Sequence, residues 1–306
     1  MRKIVIAGGS GFLGQVLQDY FCSLNDETTV LTRKKPAVQK DGVGFVEWDA
    51  QNLGAWVSAL EGCDVLINLT GRTVNCRYNE TNKRQIVDSR VKSTEVLGRA
   101  LAGLTKKPKL WLNASSATIY KGSHERANDE ETGVIGEGFS VGVCQLWEKA
   151  FADQAQEGVR QVALRTAMVI GRDGPFLTLM SKIVRSRLGG AQGNGRQMVS
   201  WLHEADWLGA IEFLIGHEDI TGAVNLSSPN PLTNRQMMQA LRKVMGVSLG
   251  LPAYTWMVHL GARLMQTEAE LPLKSRYVVP ARLLKEGYQF KFEFMEKALA
   301  DLVLNR

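Results

Sequence analysis

Lys3-Ile4-Val5-Ile6-Ala7-Gly8-Gly9-Ser10-Gly11-Phe12-Leu13-Gly14 decides how the chain folds. Lys3 to Ala7 read as a short strand buried on both faces, and a helical pattern from Phe12 to Cys22 follows the glycines. Gly8, Gly11 and Gly14 are spaced GxxGxxG, while Gly9, Gly11 and Gly14 also satisfy GxGxxG, so spacing alone leaves both dinucleotide sub-patterns open. In such a turn the first glycine permits the tight bend, the middle one lets the backbone approach a pyrophosphate, and the last lets helix and strand pack closely. The helix N-terminus adds a positive pole. A dinucleotide cofactor is therefore expected on Gly8, Ser10, Gly11, Phe12, Leu13 and Gly14.

Outward from this turn, short apolar runs alternate with longer helical patterns, the signature of βαβ units in a parallel sheet. Strands are expected at Lys3 to Ala7, Thr29 to Thr32, Gly44 to Glu47, Val65 to Leu69, Leu110 to Ala114 and Gln161 to Leu164. Helices are expected at Phe12 to Cys22, Asn52 to Ala59, Glu80 to Leu101 and Val141 to Gln156. After about Gly171 the alternation loosens, and helical patterns dominate from Asn234 onward. The expected organisation is a dinucleotide-binding domain over 1–171, with 197–228 returning to it, and a smaller lobe over 172–306.

The second expected strand ends in Thr32-Arg33-Lys34-Lys35, where an NAD-selective site would place an acid for the ribose 2′-hydroxyl. A hydroxyl and a planar guanidinium suit a 2′-phosphate, so NADP(H) is expected over NAD(H).

Composition narrows the class. The chain has 306 residues, 44% apolar and 22% charged, with 30 Gly, 8 Pro and 4 Cys, which excludes collagen-like, disordered and disulfide-built proteins. Cys22, Cys63, Cys76 and Cys144 have no CxxC spacing and read as small buried hydrophobes of a reducing compartment. The net charge of +6 suits a phosphate-bearing small molecule. No recognition helix or aromatic platform points to nucleic acid, and no run reaches the ~18 apolar residues of a membrane span. A cytoplasmic protein with a small-molecule substrate, no nucleic acid, no membrane and no metal is expected.

The glycines, together with Asn68-Leu69-Thr70-Gly71, Ser115 through Tyr120 and Arg165 through Gly171, resemble an extended short-chain dehydrogenase/reductase. The likeness is closer to an atypical branch, the YfcH-like nucleoside-diphosphate-sugar epimerase-like proteins. It is carried by Ser89-Arg90, Trp147-Glu148, Ser200-Trp201-Leu202-His203-Glu204-Ala205-Asp206, and a tail of Val279 to Leu284 and Gly287 to Phe290. The resemblance implies an NAD(P)-binding Rossmann fold, a doubly wound parallel sheet with a mainly helical C-terminal substrate lobe. It also implies cofactor contacts from Thr32, Arg33, Leu69, Thr70, Gly71, Gln85, Arg90 and Val169.

The larger family works with a YxxxK pair on the helix after the fifth strand, whose four-residue spacing puts the ammonium beside the phenol and lowers its pKa. Here that stretch reads Phe139-Ser140-Val141-Gly142-Val143-Cys144-Gln145, with no Tyr and with Cys144 or Gln145 in the place of Lys. Ser116 matches the catalytic serine position, or is a turn former. Tyr120 is the candidate substitute phenol, or a packing residue. Cys144 is a nucleophile only with a stabilised thiolate, for which Lys149 is thin support. His203 and Asp206 line a substrate mouth, or Asp206 caps a helix from Trp207 to Ile215. Two functions follow: an NADP(H)-dependent oxidoreductase or epimerase-like enzyme, and a non-catalytic NADPH-binding regulator.

Overall fold

A computed structural model describes residues 1–38 and 40–304. Strands β1 (Lys3–Ala7), β2 (Glu27–Thr32), β3 (Val43–Glu47), β4 (Val65–Asn68), β5 (Leu110–Ser116) and β6 (Arg160–Thr166) are interleaved with α1 (Phe12–Ser23), α2 (Glu80–Ala102) and α3 (Phe139–Ala152). After β7 (Met168–Ile170) and α4 (Pro175–Arg185) the chain forms β8 (Met198–Val199), β9 (Trp201–His203), α5 (Glu204–Gly216) and β10 (Gly222–Leu226). It ends in β11 (Leu232–Thr233), α6 (Asn234–Val244), α7 (Thr255–Leu264), α8 (Glu270–Leu273), α9 (Ala281–Lys285) and α10 (Met295–Leu304).

Seven strands pair side by side in the order β10-β6-β5-β4-β1-β2-β3, every pairing parallel. This is a doubly wound α/β sheet, and its order reverses between β1 and β4, where such sheets open a crevice at their carboxyl ends. Both faces are covered, which is why the strand residues Ile4, Val5, Ile6, Leu66, Ile67 and Leu112 are fully buried. One core packs α1 and α5 onto the sheet through Leu17, Phe21, Trp207 and Ile211; the other packs α2 through Val96, Leu97 and Leu101. A separate core around Leu177, Met238, Leu241 and Leu299 joins α4, α6 and α10 in the smaller lobe.

The strand expectations match to within three residues at each end, with one strand of the seven-stranded sheet missed, besides the short strands β7, β8, β9 and β11. Gly222–Leu226 pairs with β6 along Val162 to Thr166. Its five residues carry Gly and Asn and show no strand periodicity, so only the long-range pairing reveals it. The helix expected at Asn52 to Ala59 is a short 3₁₀ segment, Ala55–Leu60. Helix α3 starts two residues earlier than expected and stops at Ala152. Cys63 and Cys144 are buried as expected, whereas Cys22 and Cys76 are only half-buried.

Asp206 does not cap α5. His203 is the N-cap, its ring Nδ1 accepting from the Ala205 amide at 3.0 Å. The buried Asp206 carboxylate instead accepts from the Lys291 and Phe292 amides at 2.7 and 2.8 Å, fastening the tail to α5. His203 stacks on Phe292 at 3.9 Å, and burial holds its imidazole down to about 4, hence neutral. The string from Ser200 to Asp206 joins β9 to α5 and anchors the C-terminal tail.

Candidate functional site

The three glycines differ in what they do. Gly8 has φ +78°, and a Cβ there would lie 2.7 to 2.8 Å from Thr70. A Cβ on Gly14 would collide with the Gly9 backbone, so this glycine lets α1 press against the turn. Gln18 fixes that arrangement by donating to the Gly9 and Gly14 carbonyls at 2.8 and 3.0 Å. Gly11 is different: its φ of −87° suits any residue, and a Cβ would meet nothing within 4 Å. It is the N-cap of α1, no side chain caps that helix end, and no acid stands in its first turn. The chain keeps free amides and empty space where an anion would approach.

Ser10 is exposed beside it, Leu13 packs into the sheet core, and the Phe12 ring lies against Gly171 and Gly174. The opposite wall of the crevice is the exit of β4. The Leu69 amide donates to the Ala7 carbonyl at 2.8 Å, so the two loops run side by side. Asn68, fully buried, donates to Asn113 at 2.7 Å and accepts from the Thr70 amide at 3.0 Å. The Thr70 hydroxyl and the Arg72 Nη1 are buried with no hydrogen-bond partner among the described residues. Two unpaired polar groups in one loop fit a polar ligand, since burying them without one costs about 1–3 kcal/mol each.

Gly71 abuts Arg90, whose guanidinium a Cβ there would approach to 3.1 Å. Arg90 lies over the Trp147 ring at 5.0 Å and donates to the Ile86 carbonyl at 2.9 Å; burial lowers its pKa. Gln85 is exposed on α2. Val169 is half-buried on β7, paired with Leu202. At the far end of the crevice the Thr32 hydroxyl donates to the Lys34 carbonyl at 3.0 Å and Arg33 is exposed. The Glu47 carboxylate there is held by the Lys35 amide at 3.2 Å.

Of the expected catalytic pair, Ser116 ends β5 and its hydroxyl accepts from the Thr118 amide at 3.2 Å, which leaves its own proton to donate. Tyr120 takes its packing alternative. It is 3% exposed, its phenol donates to Asn225 Oδ1 at 3.0 Å, and Arg165 donates to it at 2.8 Å. Arg165 in turn grips Glu148 with two hydrogen bonds of 2.8 and 2.7 Å, and Ser115 donates to the same carboxylate at 2.6 Å. This network ties β5, α3, β6 and β10 together behind the crevice; burial pushes the Tyr120 phenol up. Burial likewise pushes the Cys144 thiol up to about 11, so it is no nucleophile at neutral pH.

Tyr78, between β4 and α2, packs edge-on against Phe139 at 4.9 Å and has Ser140 as its side-chain hydrogen-bond partner. Ser140 stands four residues before Cys144, one of the two positions open for the missing tyrosine, and donates to Glu270 at 3.4 Å. Arg276 closes the group, donating from Nε to the Thr118 hydroxyl at 3.1 Å and from Nη1 to the Leu271 carbonyl at 3.1 Å. Sequence reading missed Tyr78, Arg276 and Glu270, the first two on loops and the last at the start of α8, with no fixed spacing to any motif.

Three comparisons place this geometry among known proteins. Residues 4–227 match the model of the NAD dependent epimerase/dehydratase family, and residues 255–302 match a domain of unknown function, DUF1731. The epimerase family protein SDR39U1 of Mus musculus is 30% identical over 306 residues, covering 98% of this chain and 99% of that protein. YfhF of Bacillus subtilis is 28% identical, covering 99% of each. The crystal structure of human SDR39U1 with NADPH superposes with a TM-score of 0.88 at 27% identity, covering both chains fully.

Proposed function

The chain belongs to the NAD dependent epimerase/dehydratase family, and on that premise we propose that it binds NADP(H) in the glycine crevice and exchanges a hydride with a small-molecule substrate at a carbon bearing a carbonyl or an alcohol. The observation that carries the reading is Gly11, a glycine that neither backbone conformation nor packing requires. Support for the phosphorylated cofactor comes from Thr32 and Arg33, and from the NADPH held by the human relative.

A bound nicotinamide supplies or accepts the hydride at its C4 carbon. The residues of this chain do the rest. The amides at the start of α1, Thr70 and Arg90 hold the pyrophosphate, and Gly71 leaves room for the Arg90 guanidinium. Gln85 and Val169 flank the cofactor on α2 and β7. The substrate lies between the strand ends and the lobe over 172–306, with Arg276 toward any negative charge it carries. Tyr78, protonated at neutral pH, donates the proton that a reduced carbonyl oxygen needs. Ser140 holds the phenol through their hydrogen bond, solvent returns the proton, and Ser116 positions the oxygen with its hydroxyl.

A second reading, an NADPH-binding regulator without turnover, is favoured by the absence of YxxxK anywhere in the sequence. The two are separated by incubating the protein with NADPH and a panel of sugars, ketones and aldehydes while following the reduced nicotinamide absorbance. Turnover lost in Tyr78→Phe with NADPH affinity unchanged supports the enzyme. Tight NADPH binding with no turnover on any substrate supports the regulator, and no binding of NADPH defeats both.

A further inference from the structure

Charge is distributed unevenly along this chain. Residues 174–200 and 234–267 hold eight Lys and Arg and no Asp or Glu, so the rest of the chain has 29 basic against 31 acidic residues. The two stretches are adjacent in space. Leu251 donates its amide to the Arg187 carbonyl at 2.8 Å, Gly193 donates to Ala253 at 2.8 Å, and Arg242 donates to Gly189 at 2.6 Å. Lys182, Arg185, Arg187, Lys243 and Arg263 are all exposed on them.

The same stretches carry ten of the twenty large apolar side chains exposed among the described residues. On α7 only Ala262 is buried. Trp256, Leu260 and Leu264 lie along one helix face at 65%, 52% and 76% exposure, with Tyr254, Met265 and Leu251 beside them. A soluble protein rarely leaves so many apolar groups together unless something covers them.

We propose that this basic, apolar face seats the protein on a membrane surface rich in anionic phospholipid, with α7 lying in the interface. Trp and Tyr belong at the headgroup level, Leu and Met reach the acyl boundary, and the surrounding cations meet lipid phosphates. A second copy fits poorly, because a two-fold contact would set these cations against one another with no acid between them. No described helix is long and apolar enough to cross a membrane. The lack of a long apolar run, from which no membrane contact is expected, tests for spanning and not for lying on a surface.

Trp256 reports on this directly, since the other six tryptophans are 6% exposed or less. The purified chain is mixed with vesicles of phosphatidylglycerol in phosphatidylcholine, or of phosphatidylcholine alone, some carrying brominated acyl chains. Co-sedimentation with the anionic vesicles, weakened by salt, and quenching of tryptophan emission by the brominated lipid are expected. Replacing Arg187 or Lys243 by Ser lowers vesicle affinity about fivefold each. Leu264→Ser lowers it about tenfold. All three substitutions are at exposed positions, and an unchanged thermal melt shows that the fold is kept. Failure to bind anionic vesicles overturns the proposal. So does binding without quenching, which means charge attraction alone, and so does Leu264→Ser converting a dimer to a monomer that never bound lipid.

Discussion

Gly11→Ala separates the ligand's demand for glycine from the protein's own. The added Cβ finds no atom within 4 Å, and φ −87° is ordinary for alanine. The folded chain therefore feels only two small terms. Alanine is a poorer N-cap than glycine by roughly 0.5 kcal/mol, and the stiffer unfolded chain returns about 0.4–1 kcal/mol. They nearly cancel, so the Tm without cofactor should move by about 2 °C or less. The cofactor feels far more, because the methyl stands where its pyrophosphate comes closest to the backbone. Losing one or two charge-assisted amide contacts, each about 1.5–3 kcal/mol, weakens NADPH at least roughly tenfold. Gly14→Ala is the control. Its Cβ collides with Gly9 backbone, which must shift, so a cost of about 2–4 kcal/mol and a visible fall in Tm are expected. Titration calorimetry with NADPH and thermal melts on both variants make the comparison. Wild-type NADPH affinity in Gly11→Ala refutes the reasoning, as does a large loss of stability there.

Arg33→Ala should lower NADPH affinity about tenfold and leave NADH unchanged, since a lone exposed guanidinium to a phosphate is worth about 1–2 kcal/mol; equal losses for both cofactors contradict the 2′-phosphate role. Glu148→Gln leaves Arg165 buried beside a neutral amide, and chemical denaturation should show a loss of about 3 kcal/mol, whereas a loss under 1 kcal/mol means the pair is dispensable. His203 stays neutral in the folded chain down to about pH 4 but takes a proton near 6.5 when unfolded, so the unfolded state binds more protons between those values. Stability should therefore fall as pH drops through this window, by up to about 3 kcal/mol, and His203→Gln should flatten that slope when unfolding is followed at several pH values.

The sheet was legible because its information is local. Ile4 to Ala7, Val65 to Asn68 and Leu110 to Leu112 are continuous apolar runs, and a parallel strand covered on both faces must be one. Gly8, Gly11 and Gly14 were legible for the same reason, since a turn and a helix start are fixed by neighbours in sequence. Gly222–Leu226 escaped because a five-residue strand is defined by its partner β6, about sixty residues away. Tyr120 and Asp206 could be read as functional or structural from sequence alone, and their hydrogen bonds, to Asn225 and from the Lys291 and Phe292 amides, are structural.

By itself the sequence determined the parallel α/β sheet and the glycine turn, because backbone geometry and burial periodicity act over a few residues. Only the tertiary structure decided which polar side chains face the crevice. Tyr78, Ser140 and the Glu270–Arg276 stretch come from distant parts of the chain, and their proximity follows from how those parts pack, which no spacing along the chain records. The same packing sets Leu251 beside Arg187 and leaves α7 with its apolar side uncovered, joining two acid-free stretches into one face.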